Sequence, residues 1–437
     1  MVKILHLSDV HMGSGFNHGH INPATGLNTR LEDFVATLSR CIDRALSEPV
    51  DLVLFGGDAF PDATPPPVVQ QAFAQQFQRL VEAHIPAVLL VGNHDQHSQG
   101  RGGASLCIYR TLGVPGIIVG DSLATHRIET QAGPIQVITL PWLTHSTLLT
   151  RPDTAGLSLS DVNELMLDRL RVALEGEIRR LEPGIPSILL AHLMTDTARY
   201  GAEKFLAVGK GFTVPMALLA RPCFDYVALG HVHKHQILCQ NPWVVYAGSI
   251  ERVDFSEEKE VKGFILAEVQ AGHASVEFCP LPVRVFRTIH VDVSTTDAPQ
   301  AQLETKLANT NIADAVVRLI YRLTPAQTDQ IDHAALHQAL ADAHSYTIHP
   351  ELVSLLMRPR IPALTSDNTC DPFSALQAYL SSREDLATLS DDMLAAAQAL
   401  LADEDNNSHH AISDNSLVEE LSDEELPETV DQQLRLL

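Results

Sequence analysis

Apolar positions along the first 140 residues follow two alternating periods. The runs "VKILHLS" (2–8), "VDLVLFGGD" (50–58) and "IPAVLLVGNHD" (85–95) are almost continuously apolar and read as short strands buried on both faces. Between the first two, Leu31, Phe34, Leu38, Ile42 and Ala45 recur at helical spacing, and residues 67–84 repeat that pattern before the third. The βαβαβ order predicts parallel strands covered by helices. A long helix is expected at 158–182, then strands "PSILLAH" and "FDYVALGH". From 236 to 293 short strand patterns dominate. Residues 299–357 read helix, strand, helix, strand, a small α+β unit, and 371–402 are helical and rich in Ala and Leu.

The net charge of −24 over 437 residues excludes DNA binding through a globally basic surface. Part of it is local: residues 403–437 hold eleven Asp/Glu against one Arg, and this polar stretch is expected to be disordered. A chain so negative that handles phosphates needs bound cations, local basic patches or a basic partner. No apolar run reaches the ~18 residues of a membrane span. The first residues enter a strand pattern with no signal-peptide architecture, and six cysteines form no C-x-x-C pair. The expectation is a cytoplasmic protein with neither zinc ribbon nor disulfide framework.

Chemistry concentrates where the strands end. The first is followed by "SDVHMG" (Asp9, His11), the second by Asp58, the third by Asn93, His94 and Asp95; two later strands end in His192 and in "GHVH" (His231, His233). Ligands of open α/β sheets bind outside the carboxyl ends of the strands, so five strands are expected to deliver these groups to one edge. Nitrogen and oxygen donors without thiolates suit Mn, Fe or Zn. Residues two apart in an extended segment stand ~6.5 Å apart on one side, which suits two metals about 3.5–4 Å apart better than one. Asp58 is the natural bridging carboxylate. His94, beside Asn93, is the candidate general acid, with Asp95 orienting its ring, although Asp95 reads equally well as a turn former. The chain has 21 histidines. His6, His18, His20, His84, His97, His126, His145 and His235 are read as solvated or hydrogen-bonded surface residues.

The ordered series D-x-H, GGD, GNHD, H, GHxH resembles the calcineurin-like metallophosphoesterases. More narrowly, "LSDVHMG", "FLAVGKGF", "FDYVALGHVHKHQ" and "YAGSIERVDFSEEKEVKGF" resemble the SbcD nuclease subunits of bacterial SbcCD complexes. The resemblance implies an α/β fold, a four-layer αββα sandwich over 1–284, an α+β DNA-capping domain at 285–357, a helical SbcC-binding segment at 358–402 and the acidic tail. It implies two divalent metals per chain, Mn²⁺, one held by Asp9, His11, Asp58 and His233 and the other by Asp58, Asn93, His192 and His231, with His94 as acid. It also implies exonuclease action on double-stranded DNA ends, endonuclease action on single strands and hairpins, and a homodimer within a heterotetramer with the SbcC ATPase. That partner would bridge DNA for an acidic subunit. Phe373, Leu376, Tyr379, Leu380, Leu386, Leu389 and Leu394 would give the partner-binding face. Some relatives carry a further histidine where this chain has Pro61. Arg101, Arg110, Lys210, Lys234 and Arg252 are candidates to touch DNA, and surface solvation explains them as well. Two other readings compete: a small-substrate phosphodiesterase, for example for cyclic nucleotides, and a non-catalytic scaffold.

Overall fold

The computed structural model describes residues 1–48, 50–96, 104–144, 157–199, 213–353, 372–381 and 389–398. The chain divides into two units, Met1–Val353 and Ser354–Leu437. In the first unit the described strands are β1 (Val2–Leu7), β2 (Leu52–Phe55), β3 (Ala87–Leu90), β4 (Ile117–Gly120), β5 (Ala124–Thr130), β6 (Gly133–Leu140), β7 (Ser187–His192), β8 (Met194–Thr195) and β9 (Thr213–Val214). They continue with β10 (Tyr226–Gly230), β11 (Gln236–Gln240), β12 (Trp243–Tyr246), β13 (Gly263–Gln270), β14 (His273–Pro280), β15 (Phe286–Asp292), β16 (Val316–Leu323) and β17 (Ser345–Leu352).

One sheet has the order β14-β13-β1-β2-β3-β4, a second β11-β12-β10-β7-β6-β5. Their centres are parallel; antiparallel strands complete one edge of the first sheet (β13, β14) and both edges of the second (β11, β5), while β4 closes the first sheet parallel to β3. Alternation along each strand shows how they stack. Ile4, Leu52, Leu54, Val88 and Leu90 of the first sheet share one buried cluster with Ile188, Leu190, Tyr226 and Ala228 of the second. The intervening Leu5, Leu7, Val53, Phe55 and Leu89 pack with Leu31, Phe34, Leu38, Phe73 and Phe77 from helices Thr29–Ser47 and Pro67–Glu82. On the far side Ile138, Leu189, Val227 and Leu229 pack with Met166, Leu170 and Leu174 of helix Leu159–Ile178. The layers are therefore αββα, the four-layer α/β arrangement expected. Each such fully buried side chain contributes about 1.5–3 kcal/mol of transfer free energy.

Local signals set the first helix. Asn28 caps it, its Oδ1 accepting from Arg30 N (2.8 Å), and the apolar positions at helical spacing all turn inward. Within the same unit, β15, β16 and β17 form a small parallel sheet in that order. Ile289, Val291, Leu319 and Tyr321 pack on Leu303, Leu307, Leu336 and Leu340, in and just after helices Pro299–Ala308 and His333–Ala339. This three-stranded sheet, which stands where the cap is expected, docks beside the long first helix. Arg284 forks onto both oxygens of Asp33 (2.6 Å each) and reaches Asp314 (2.6 Å). Ser345 Oγ donates to the His18 carbonyl (2.6 Å), and Arg318 lies over the Phe255 ring, 4.3 Å from its centroid.

In the second unit, Pro372–Ser381 and residues 390–398 are helical. Leu380 is buried, while Tyr379 and Leu389 are exposed. The side chains of Phe373 and Leu386, the segment "FLAVGKGF" with Lys210, Arg101, His97, His145 and residues 403–437 lie outside the described residues. Among the described residues no helix is long and apolar enough to cross a membrane.

Candidate metal centre

The nine residues singled out in the sequence come together, but from two sheets rather than one. Asp9 and His11 follow β1, Asp58 follows β2, and Asn93, His94 and Asp95 follow β3, all in the first sheet; His192 ends β7, and His231 and His233 follow β10, in the second. Nor are the two-residue spacings extended. Asp9 (φ 52°), His11 (φ 46°), Asp58 (φ 57°) and His231 (φ 100°) all have left-handed backbones, a conformation costly for side-chain-bearing residues. These tight turns, not strand alternation, send neighbouring donors apart. His233 joins Asp9 and His11, while His231 joins Asp58 and His192, each triad with its donor atoms within 4.8 Å of one another. His11, Asp58 and His94 form a third such group, which places Asp58 between the other two. The glycines allow the approach: a Cβ on Gly57 would sit 2.5 Å from His192 Nδ1, and one on Gly92 would collide with Asp58 Oδ1.

Hydrogen bonding shows what the cluster lacks. His192 Nδ1 donates to the Gly56 carbonyl (2.7 Å), which turns the lone pair of Nε2 towards Asn93 Oδ1 (3.0 Å) and Asp58 Oδ2 (3.3 Å). Asn93 Oδ1 also lies 2.9 Å from His231 Nδ1. A neutral His192 therefore presents the lone pair of Nε2 to oxygen acceptors, a place that suits a cation. Nε2 of His11 and of His231 are buried with no hydrogen-bond partner, a costly state unless something binds them. Without metal, a proton takes the cation's place: burial depresses His192, but Asp58 and Asp9 outweigh it and push its pKa up to about 9. Burial likewise raises Asp58, yet His192, His11 and His94 hold it well below the carboxylate range. Burial raises Asp9 and keeps His11 and His231 neutral, well below the usual imidazole range. Neutral imidazoles, two carboxylates and an amide oxygen fit two divalent metals.

The ring of His94 is not oriented by Asp95. Its Nδ1 donates to the Pro61 carbonyl (2.7 Å), and its backbone N–H donates to Asp58 Oδ1 (2.8 Å). Pro61 therefore serves the site through its backbone. Asp95 instead accepts from three backbone N–H groups, those of Asp58 (2.9 Å), Ala59 (3.0 Å) and Gly92 (2.9 Å). It ties the two metal-site loops together; burial and the charge of Asp58 raise its pKa to about 7.

Two other expectations change. His6 is fully buried between the sheets, its Nδ1 2.8 Å from the Tyr226 hydroxyl. Arg252 donates to the carbonyls of Glu257 (3.2 Å), Arg284 (2.8 Å) and Glu260 (2.8 Å), so it is a structural clamp rather than a DNA contact. Arg110 pairs with Asp121 (2.5 Å), and Lys234 is exposed.

The sequence reading missed Trp142, whose ring lies 4.8 Å from that of His231, and Glu257, whose Oε1 accepts from His233 Nδ1 (2.6 Å). Nothing in the pattern around Trp142 distinguishes it from a core aromatic. Glu257 stands in "DFSEEKE", which reads as a solvated charge run; its one signal is its place in the stretch that carries the narrower resemblance.

Residues 2–235 match the family described as calcineurin-like phosphoesterase. Among solved structures, the chain resembles the protein TT1561 of Thermus thermophilus (17% identity, 63% of this chain and 98% of that one, TM-score 0.35). It also resembles a dimetal phosphatase from Danio rerio (11%, 63% and 98%, TM-score 0.37). A third is a purple acid phosphatase from yellow lupin seeds (14%, 64% and 51%, TM-score 0.34). At such TM-scores these likenesses bear on no individual residue.

Proposed function

The chain belongs to the calcineurin-like phosphoesterase family, and we propose that within this family of metal-dependent phosphoester hydrolases it is a Mn²⁺-dependent DNA nuclease subunit of the SbcD type. The observation that carries this reading is the capping sheet. It docks on residues 18–33 and 255–258, which flank the loops of Asp9, His11 and His233. A small substrate needs no such neighbour, whereas a polymer extending away from its scissile phosphate does. The "YAGSIERVDFSEEKEVKGF" resemblance supports the same choice. DNA ends, hairpins and single strands would be the substrates, and an SbcC-type ATPase the partner. The exposed Tyr379 and Leu389 support a docking face for it, and a homodimer would complete the assembly.

Asp9, His11, Asp58 and His233 would hold one metal, and Asp58, Asn93, His192 and His231 the other. Two metals there supply Lewis acidity towards the phosphodiester and a lowered pKa for an attacking water. The chain's own residues do the rest. Asp58 is fixed by the His94 N–H and by the loops that Asp95 joins, so its carboxylate stays between the Asp9–His11–His233 triad and the His192–His231 pair. His94 keeps one proton on Nδ1 against the Pro61 carbonyl. Nε2 is then the nitrogen left to protonate the departing 3′ or 5′ oxygen. Trp142, packed on His231, excludes water from one side of the centre.

The test is hydrolysis of linear double-stranded DNA, hairpin DNA and a cyclic nucleotide by the purified chain with Mn²⁺, beside Asp58→Asn. Mn²⁺-dependent DNA cleavage that vanishes in the variant supports the reading. Intact DNA with a hydrolysed cyclic nucleotide replaces it with the small-substrate enzyme. No reaction at all, even with the ATPase subunit and ATP, leaves the scaffold.

A further inference from the structure

We propose that Glu257 is a positioning residue of the metal centre, that it fixes which nitrogen of His233 serves the metal, and that the capping sheet seats it. The proposal rests on the two-metal reading of the site and not on DNA as the substrate. Glu257 is 4% exposed, and its two oxygens divide their work. Oε2 takes Lys262 Nζ (2.7 Å), Val253 N (3.0 Å) and Ser249 Oγ (3.4 Å). Oε1 takes His233 Nδ1 (2.6 Å). An ionised carboxylate only accepts, so the His233 proton is pinned on Nδ1. Nε2 keeps its lone pair for the triad with Asp9 and His11. The ion pair with fully buried Lys262 helps keep Glu257 ionised, and Lys262 Nζ also donates to the His233 carbonyl (3.2 Å).

The neighbours of Glu257 are held from the capping sheet. Phe255 packs against Phe286 (ring centroids 5.0 Å apart) and under Arg318. Glu258 Oε2 accepts from Thr288 N (3.0 Å). Phe286 and Thr288 lie on β15 and Arg318 on β16. The chain therefore runs from the cap through Phe255 and Glu258 to the carboxylate between them, and from there to one half of the metal centre. The effect of the cap on the metal-site donors passes through the seat of Glu257.

Isothermal titration of Mn²⁺ into the metal-free full-length protein tests this, with Glu257→Gln and Arg318→Met, and far-UV circular dichroism to confirm folding. Glutamine fills the same space but lacks the charge, and its amide can donate to Nδ1 and so reverse the tautomer. The expected result is one of two sites weakened about 10- to 100-fold in Glu257→Gln, with the other unchanged. Arg318→Met weakens the same site about 2- to 30-fold, the range of coupling carried through packed networks. Wild-type affinity at both sites in a folded Glu257→Gln overturns the proposal. Loss at one site in Glu257→Gln with none in Arg318→Met overturns the part played by the cap. If Glu257→Gln does not fold, Glu257→Asp takes its place, because the shorter side chain withdraws the carboxylate from His233; wild-type affinity at both sites in that folded variant overturns the proposal. DNA cleavage is a separate readout. Normal affinities with active nuclease sink only this inference; weakened affinity in a chain that never cuts DNA sinks only the nuclease.

Discussion

Replacing Gly92 with alanine adds one methyl group at a crowded point of the candidate metal centre. Gly92 has no left-handed backbone, so alanine meets no conformational penalty and the effect is steric alone. The new Cβ would lie 2.5 Å from Asp58 N and 2.8 Å from Asp58 Cγ, besides overlapping Oδ1. Ordinary contact begins near 3.4 Å, so the Asp58 loop must retreat by about 1 Å. A misplacement of about 1 Å in a reacting constellation costs about 100-fold in rate. Overpacking adds a stability loss of about 1–3 kcal/mol. The assay is Mn²⁺-dependent hydrolysis of bis(p-nitrophenyl) phosphate, with a urea melt in parallel. The expected variant is folded, at least about 30-fold slower, and holds less metal. A folded Gly92→Ala protein with a rate close to wild type would show that Asp58 is not held where its carboxylate must be, and would refute the reasoning.

Asp95→Asn gives an NH₂ group to three backbone N–H donors that now share two oxygens; a stability loss of about 1–3 kcal/mol is expected in urea, and an unchanged midpoint would sink the role assigned to Asp95. Burial lowers His6 from 6.5 to about 3. The unfolded chain therefore takes up this proton first, and stability present above pH 6.5 is lost as pH falls towards 3, on the order of 5 kcal/mol at the limit. Between about pH 6 and 4, His6→Leu should lose stability less steeply than wild type, by up to about 1.4 kcal/mol per pH unit; parallel curves would contradict it. Metal binds the folded chain, so free Mn²⁺ at about 100 times its Kd adds about 2.7 kcal/mol. The melting temperature should rise with MnCl₂ and fall with EDTA, and indifference to both would count against any metal here.

Much of this was legible in the chain. The strands declare themselves because buried parallel strands are apolar at nearly every position, as in "LVLF" and "AVLL". The same property hides the existence of two sheets: a strand apolar on both faces does not say whether a helix or another sheet covers each. The metal-site residues stand out because polar side chains directly after such strands need a reason to be there. What supports them does not stand out. The Pro61 and Gly56 carbonyls act through the backbone, which side-chain identity cannot reveal. Glu257 reaches His233 across 24 residues of sequence, and its charge run looks solvated. For Asp95, adjacency in sequence points to His94, whereas its oxygens accept from the backbone N–H groups of Asp58, Ala59 and Gly92, which is closer to the turn-forming alternative.

The left-handed backbones at Asp9, His11, Asp58 and His231 make the rim of the candidate metal centre a strained part of an otherwise well-packed sandwich. Such residues hold on the order of 1–3 kcal/mol of strain each, and here they also bring buried charges and unpaired nitrogens together. Asparagine or glycine would rest more easily at several of these positions. An engineer who selected this chain for heat resistance alone would therefore recover inactive enzymes early, because disarming the rim is the shortest way to relax it.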